Sequence, residues 1–388
     1  MGFGKDSSIS SHHLPREERI LLGSYYTPAK YVEIVADWLK ESLHAGEVIL
    51  DPSCGDGAFF PLRDFFPQAR FLGNDMDPAA VRQAGKNFPG VRFTSFNALR
   101  RVSRRQYGLS PRDPLTIVGN PPYNDTTSLF CKSLKRSSLQ EVDEDIRTRD
   151  LGLSSLLAYD KLKADRVAVL HPLSYLIKKA NYQSGIRFFQ NYRLRNHLIF
   201  SSQEFAGASP TSAFPVLVAL YERAPGEGIT YEEVLTQEFH TVEGDRFRLA
   251  DMEFVTDYVV KYPRKTPPAA DLSGHYFYTL RDINALRRCQ TFLRQKSANA
   301  VAIPRAQLPF YQYIDAFKHL AQIPYWAGNL NVPFRKDDFP RIAPLAAKYS
   351  ATRHADLFGE SLPLSKEELT TLKTYIRDSL YREHTHTP

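Results

Sequence analysis

The sequence predicts an α/β protein: an open, Rossmann-like sheet of seven strands, followed by a smaller α+β domain. Short apolar runs recur along the first part of the chain, separated by stretches of helical period. Four of these runs end in a polar residue at a turn, namely Asp51, Asp75, Asn97 and Asn120. Open α/β sheets gather ligands at such strand ends. At 388 residues the chain exceeds one ordinary core. Proline and glycine at Pro225-Gly226-Glu227-Gly228 mark a break. The expected division is a polar N-terminal arm over 1–20, a first domain over 21–224 and a second over 225–388.

Composition narrows the classes. Apolar residues at 43% and charged residues at 24% are those of a soluble globular protein. The sequence shows no transmembrane run and no signal pattern, so no membrane partner and a cytoplasmic location, bacterial or archaeal, are expected. Cys54, Cys131 and Cys289 are too widely spaced for a zinc site or a disulfide framework. No metal is expected. A formal net charge of +7 permits a polyanionic partner without requiring one.

In chain order, Thr27 and Pro28 follow the paired Tyr25 and Tyr26 and predict a helix start, with Thr27 as cap and Pro28 in the first turn. Tyr31, Ile34, Val35, Trp38 and Leu39 then give one apolar face of a helix to about Leu43. Glu47 to Asp51 reads as a strand, and Pro52-Ser53-Cys54-Gly55-Asp56-Gly57 as a tight turn into a helix. This turn lacks both the dinucleotide glycine spacing and the lysine of a P-loop. Two acids there would repel phosphates and suit a cationic ligand. A second strand, Arg70 to Asn74, leads to Asp75, placed where adenosine-binding sheets hold ribose hydroxyls. Asp77 and Pro78 read as a cap and first turn. A third strand near Val91-Arg92-Phe93 precedes Asn97, and a fourth, Leu115 to Val118, delivers Asn120-Pro121-Pro122-Tyr123. That turn offers an amide, a backbone carbonyl held in direction by proline, and an aromatic ring. These can grip a flat heterocycle bearing an amino group. Strands five to seven are expected at Arg166–Pro172, Asn196–Phe200 and Phe214–Leu220.

Thr27-Pro28 after paired tyrosines, the Asp51–Gly57 turn, Asp75 and the Asn120–Tyr123 turn, in that order, resemble the gamma-class methyltransferases that modify the N6 amino group of adenine in DNA. The resemblance spans roughly residues 23 to 224. It implies a methyltransferase domain binding S-adenosylmethionine through Tyr26, Thr27, Asp51, Cys54, Gly55, Gly57, Asp75, Asn97 and Asn120. It further implies catalysis by Asn120, Pro121 and Tyr123. The family usually shows Asp where Asn97 stands. Asn120 and the Pro121 carbonyl would accept both hydrogens of the amino group, and Tyr123 would stack on a base flipped out of the duplex. The loop before the seventh strand would add an aromatic contact, matched by Phe205 first and Phe214 second.

The second domain would then be a target recognition domain. It shows short β pieces at Phe254-Val255 and Tyr276–Tyr278 and helical stretches near Ile283–Lys296, Tyr311–Ala321 and Lys366–Tyr381. Candidate contacts are a basic face with Arg281, Arg287, Arg288, Arg294 and Lys296, and the run Tyr325–Asn331 containing Asn329, followed by Arg335. The implied partner is double-stranded DNA, with a separate restriction endonuclease where the protein protects host DNA. No nuclease segment precedes the first motif, so modification without cutting is expected. The turn at Asn120 also suits cytosine N4, an RNA base or a protein glutamine, and a catalytically dead DNA-binding protein on the same fold is the alternative of another class.

Overall fold

The computed structural model describes residues 27–44, 46–123, 141–205, 213–263 and 271–381. Tyr26, the N-terminal arm, most of the polar stretch after Tyr123, Cys131 and residues 206–212 before the seventh strand lie outside the described residues. The chain forms two compact units, Met1–Thr211 with Val216–Val234, and Ser212–Pro215 with Leu235–Pro388.

The first unit is built on seven strands: β1 (Val48–Asp51), β2 (Arg70–Asn74), β3 (Arg92–Thr94), β4 (Leu115–Gly119), β5 (Arg166–Pro172), β6 (Tyr192–Ser201) and β7 (Pro215–Arg223). Their order across the sheet is β3-β2-β1-β4-β5-β7-β6. β1 pairs in parallel with β2 and β4, β2 with β3, and β4 with β5, whereas β7 runs antiparallel to β5. This is the Rossmann-like sheet expected from the sequence. β1 and β4 are buried throughout, and apart from Asp51 and Thr116 their residues are apolar or glycine, as a covered parallel sheet requires. The direction of strand succession reverses between β1 and β4. A crevice therefore opens beyond their C-terminal ends, where such sheets bind ligands. At the opposite edge the fully buried Glu47 accepts hydrogen bonds from Thr116 Oγ1 at 2.5 Å and Arg166 Nη1 at 2.8 Å, which compensates its charge inside the core.

The first helix is Ala29–Leu39, shorter than the sequence pattern suggests. Its buried side chains are Tyr31, Val32, Val35, Ala36 and Leu39, while Ile34 and Trp38 sit at the half-buried margin. Pro28, not Thr27, occupies the capping position, and no side chain caps the helix. Thr27 is instead buried and turned toward the end of β4. Tyr31 stacks on Phe200 of β6, with ring centroids 3.9 Å apart.

The second unit is α+β. A three-stranded sheet in the order β12-β11-β13 joins β11 (Leu272–Tyr278) to β12 (Phe292–Leu293) and β13 (Ala300–Pro304). Two strand pairs accompany it: β8 (Phe239–His240) with β9 (Arg246–Phe247), and β10 (Glu253–Phe254) with β14 (Pro333–Phe334). Helices run over Leu308–Leu320, Phe339–Arg353 and Lys366–Leu380. The helix expected over Ile283–Lys296 ends at Arg288, because Phe292 enters β12 and packs edge-to-face on Phe277 at 5.0 Å. Phe339–Arg353 forms a helix despite Pro344 within it, which is why its sequence pattern conceals it. Asp315, fully buried on Leu308–Leu320, accepts from Thr291 Oγ1 at 2.5 Å and Ser350 Oγ at 3.0 Å, and lies 3.2 Å from His354 Nε2. Burial opposes its charge, but hydrogen bonds from His354 and Thr291 prevail and hold its carboxyl below the usual range. Among the described residues, no helix is long and apolar enough to cross a membrane.

Candidate active site

The turn after β1 is held from β2. Cys54 N–H donates to the Asn74 carbonyl at 2.8 Å, and Gly55 N–H donates to Asp75 Oδ2 at 2.8 Å. Asp75 Oδ1 accepts the Asp77 N–H at 2.9 Å, so both carboxylate oxygens are fixed in direction. The two glycines of the turn differ in their surroundings. Gly57 adopts φ +96°, and a Cβ there would meet the Phe88 ring at 2.7 Å. Gly55 adopts φ +50°, and a Cβ there would meet nothing within 4 Å. Gly57 serves packing, while Gly55 faces open space where a ligand can approach the backbone.

Electrostatics show what kind of ligand fits. Asp51, 2% exposed, receives the Ser53 N–H at 3.1 Å. Burial pushes its pKa up to about 8, with a further push from Asp75. Burial also raises Asp75, and drives the Cys54 thiol far up with the help of Asp51 and Asp75. Among the described residues no basic side chain pairs with Asp51 or Asp75. A buried carboxyl, Asp51, and a half-buried one, Asp75, without a basic partner favour a cationic ligand. S-adenosylmethionine, with its sulfonium and ammonium groups, matches that demand.

Asn97 stands on the loop after β3. Its Nδ2 donates to the Glu141 carbonyl at 2.9 Å and its Oδ1 accepts the Leu99 N–H at 2.9 Å, so its amide serves the loop itself. Asn74 is the residue that the sequence reading missed. It is fully buried, and its amide reaches Pro52 in the glycine turn as well as Thr94 at the end of β3 and Phe96 just beyond it. An uncharged amide directly after the apolar run Phe71-Leu72-Gly73 and directly before Asp75 was the available signal.

β4 brings the second half of the site. Gly119 has φ +156°, and a Cβ there would lie 3.0 Å from Asp51 Oδ1, so only glycine lets the strand end close on that carboxyl. The next residue, Asn120, donates from Nδ2 to Thr27 Oγ1 at 3.2 Å. The Tyr123 hydroxyl contacts Asn120 Oδ1 and also lies 3.2 Å from the Leu170 carbonyl of β5. Pro121 is buried and Tyr123 half-buried. The structure thus gathers Thr27, Asp51, Cys54, Gly55, Asp75 and Asn120 at the C-terminal edge of β1, β2 and β4. Beside them on β5, His171 is fully buried, 2.9 Å from the Pro172 carbonyl and 2.8 Å from the Tyr221 hydroxyl. Burial lowers its pKa to about 4, which keeps it neutral and structural. A cavity of about 600 Å³ lined by Arg63, Arg70, Arg92 and Tyr107 includes none of the gathered residues.

Other expected contacts are placed differently. Phe205 is turned into the core, 2% exposed and edge-to-face on Phe200 at 5.4 Å, because that apolar contact outweighs an exposed position. Phe214 is half-buried just ahead of β7. In the second unit Arg287 and Arg288 are exposed at the end of their helix. The Tyr325–Asn329 run is mostly core: Trp326 is 1% exposed, stacks on Phe247 at 4.5 Å and donates to Asp245 Oδ2 at 3.1 Å. Asn329 is half-buried, and its Oδ1 has no hydrogen-bond partner among the described residues. Arg335 pairs with Asp338 at 2.8 Å, and Arg294 with Asp356 at 2.8 Å.

No protein-family model matches the chain. Over 114 residues it is 30% identical to the type II methyltransferase M.XamI of Xanthomonas campestris pv. amaranthicola, a match covering 29% of this chain and 20% of that protein. The chain thus spans about a fifth of this curated relative's length. Among solved structures, a TehB-like SAM-dependent methyltransferase from Corynebacterium glutamicum aligns with TM-score 0.32 and 16% identity, covering 55% of this chain and 98% of that one. TrmN from Thermus thermophilus aligns with TM-score 0.32 and 17% identity, covering 50% of this chain and 48% of that one.

Proposed function

We propose that this protein is an S-adenosylmethionine-dependent methyltransferase acting on the N6 amino group of adenine in double-stranded DNA. The observation that carries the reading is the convergence at the β1/β4 switch point. Asn120 follows Gly119, which closes on the buried Asp51 carboxyl, and the open glycine turn at Gly55 is held by the half-buried Asp75 carboxylate. The similarity to a type II methyltransferase supports the transfer reaction.

Asp51, Gly55 and Asp75 would hold the cofactor, with Thr27 orienting Asn120 beside it. When bound, S-adenosylmethionine supplies a methyl group on a positively charged sulfur. Asn120 Oδ1 and the Pro121 carbonyl accept the two amino hydrogens, which favours a pyramidal nitrogen with its lone pair directed at that methyl. Their contribution is positioning and electrostatics. An amino group reaching Asn120 Oδ1 takes the place of the Tyr123 hydroxyl, and the Tyr123 ring offers the flipped base a stacking face. The amino nitrogen would take up the methyl group that the bound cofactor supplies, and the proton it then gives up would pass to solvent. The second unit, with Arg287, Arg288 and Asn329 as candidate contacts, reads the target site in this proposal. A separate endonuclease of matching specificity is the functional partner that it implies.

Methyl transfer from labelled cofactor to duplex DNA, measured beside cofactor binding for Asn120→Ala, tests the assignment. Turnover is expected to vanish while cofactor affinity stays nearly intact. Equal loss of both would contradict the role given to Asn120.

A further inference from the structure

We propose that Asn74 is a positioning residue that sets cofactor affinity by fixing the distance between the glycine turn and the loop after β3, without taking part in methyl transfer. The inference rests on the cofactor site proposed above. Asn74 Nδ2 donates to the Pro52 carbonyl at 3.0 Å and to the Phe96 carbonyl at 3.0 Å. Its Oδ1 accepts from Phe96 N–H at 3.2 Å and Thr94 Oγ1 at 3.1 Å. All four hydrogen-bonding positions of the amide are used, and the side chain is fully buried.

These partners lie on two different segments. Pro52 begins the turn that presents Gly55, and Phe96 begins the loop that presents Asn97. The backbone on either side of the side chain reinforces the link: the Asn74 carbonyl accepts Cys54 N–H at 2.8 Å, and Asp75 N–H donates to Thr94 at 3.3 Å. One amide therefore ties together the turn that presents Gly55, the end of β2 that leads to Asp75, and the loop after β3. An apolar residue could fill the space but not the bonds. An aspartate would fill it and keep the acceptors, yet it would lose both donors and set a carboxylate against two carbonyl oxygens.

The test compares Asn74→Asp and Thr94→Val with the unmodified full chain, measuring S-adenosylmethionine Kd by calorimetric titration and kcat at saturating cofactor. Circular dichroism checks the fold. For Asn74→Asp, Kd should rise roughly 10- to 100-fold, with kcat within about twofold, since no catalytic contact is altered. Thr94→Val removes one of the four bonds and should raise Kd roughly 2- to 10-fold, again without lowering kcat. If Asn74→Asp does not fold, Thr94→Val decides alone. Folded variants with unchanged Kd, or with kcat falling in step with affinity, overturn the positioning role. Unmodified protein that fails to bind S-adenosylmethionine overturns the cofactor reading itself, and that outcome is distinct from normal binding in all three proteins.

Discussion

Replacing Gly55 and Gly57 by alanine, one at a time, should produce opposite defects although one residue separates them. Gly57 combines φ +96° with Phe88 ring carbons 2.7 and 2.9 Å from an added Cβ and a Phe60 ring carbon at 2.9 Å. The left-handed backbone costs an alanine about 1–2 kcal/mol, and overpacking a filled site adds about 1–3 kcal/mol. Gly57→Ala should therefore lose about 2–5 kcal/mol of stability, a fall of roughly 4–20 °C in Tm for a unit of this size. Gly55 has the backbone term but no steric one, since nothing lies within 4 Å of the added Cβ. Gly55→Ala should lose only about 1–2 kcal/mol of stability. Its methyl group would project into the space assigned to the ligand. Clash there at about 1–3 kcal/mol weakens cofactor binding about 5- to 150-fold. Thermal unfolding followed by circular dichroism measures the first effect and cofactor titration the second. A Gly57→Ala protein melting with the unmodified one, or a Gly55→Ala protein binding cofactor normally, would refute this division of roles.

Further expectations concern charge and contact. Asp51 has a pKa raised from 3.8 to about 8, so the folded state binds more protons than the unfolded state between those values. Its contribution to stability is full below the lower value and is lost as pH rises through the higher one; Asp75 acts in the same direction. Free protein should thus lose stability from about pH 4 to about pH 8 through these groups. A bound cation draws the pKa of Asp51 down, so cofactor binding near neutrality should release protons and tighten as pH rises. Titrations in buffers of different ionisation enthalpy measure this, and zero proton release contradicts it. Tyr123→Ala should reduce methylation of a normal duplex more than of one with a mismatched target, because the mismatch already lowers the cost of flipping. Similar losses on both substrates would remove Tyr123 as the stacking platform. Asp315→Ala strands Thr291, Ser350 and His354 and should destabilise the second unit by about 2–5 kcal/mol, read by denaturant unfolding. A change below about 0.5 kcal/mol would show that the network is dispensable.

The first unit was legible because its signals are local. Apolar runs ending at Asp51, Asp75 and Gly119 define strands and their ends, and the glycine turn follows β1 directly. What escaped depends on contacts distant in sequence. Thr27 reads as a cap by its position before Pro28, yet its hydroxyl serves Asn120, 93 residues away. Asn74 resembles any strand-end amide until Pro52 and Phe96 are placed around it, each 22 residues distant. Phe205 beside a glycine-rich turn gives no sign of which way it points, and Phe200 decides it. In the second unit, Trp326 resembles an exposed reading residue by its polar neighbours but is packed against Phe247. Pro344 masks a helix whose Ile342 and Ala346 are buried.

The most direct test of the proposed function is methylation-sensitive sequencing of DNA from cells expressing the protein, beside cells expressing Asn120→Ala. The account predicts N6-methyladenine at one short sequence motif in the first sample and none in the second. No N6-methyladenine above background in cells making folded, cofactor-binding protein, or the same marks in both samples, would contradict it.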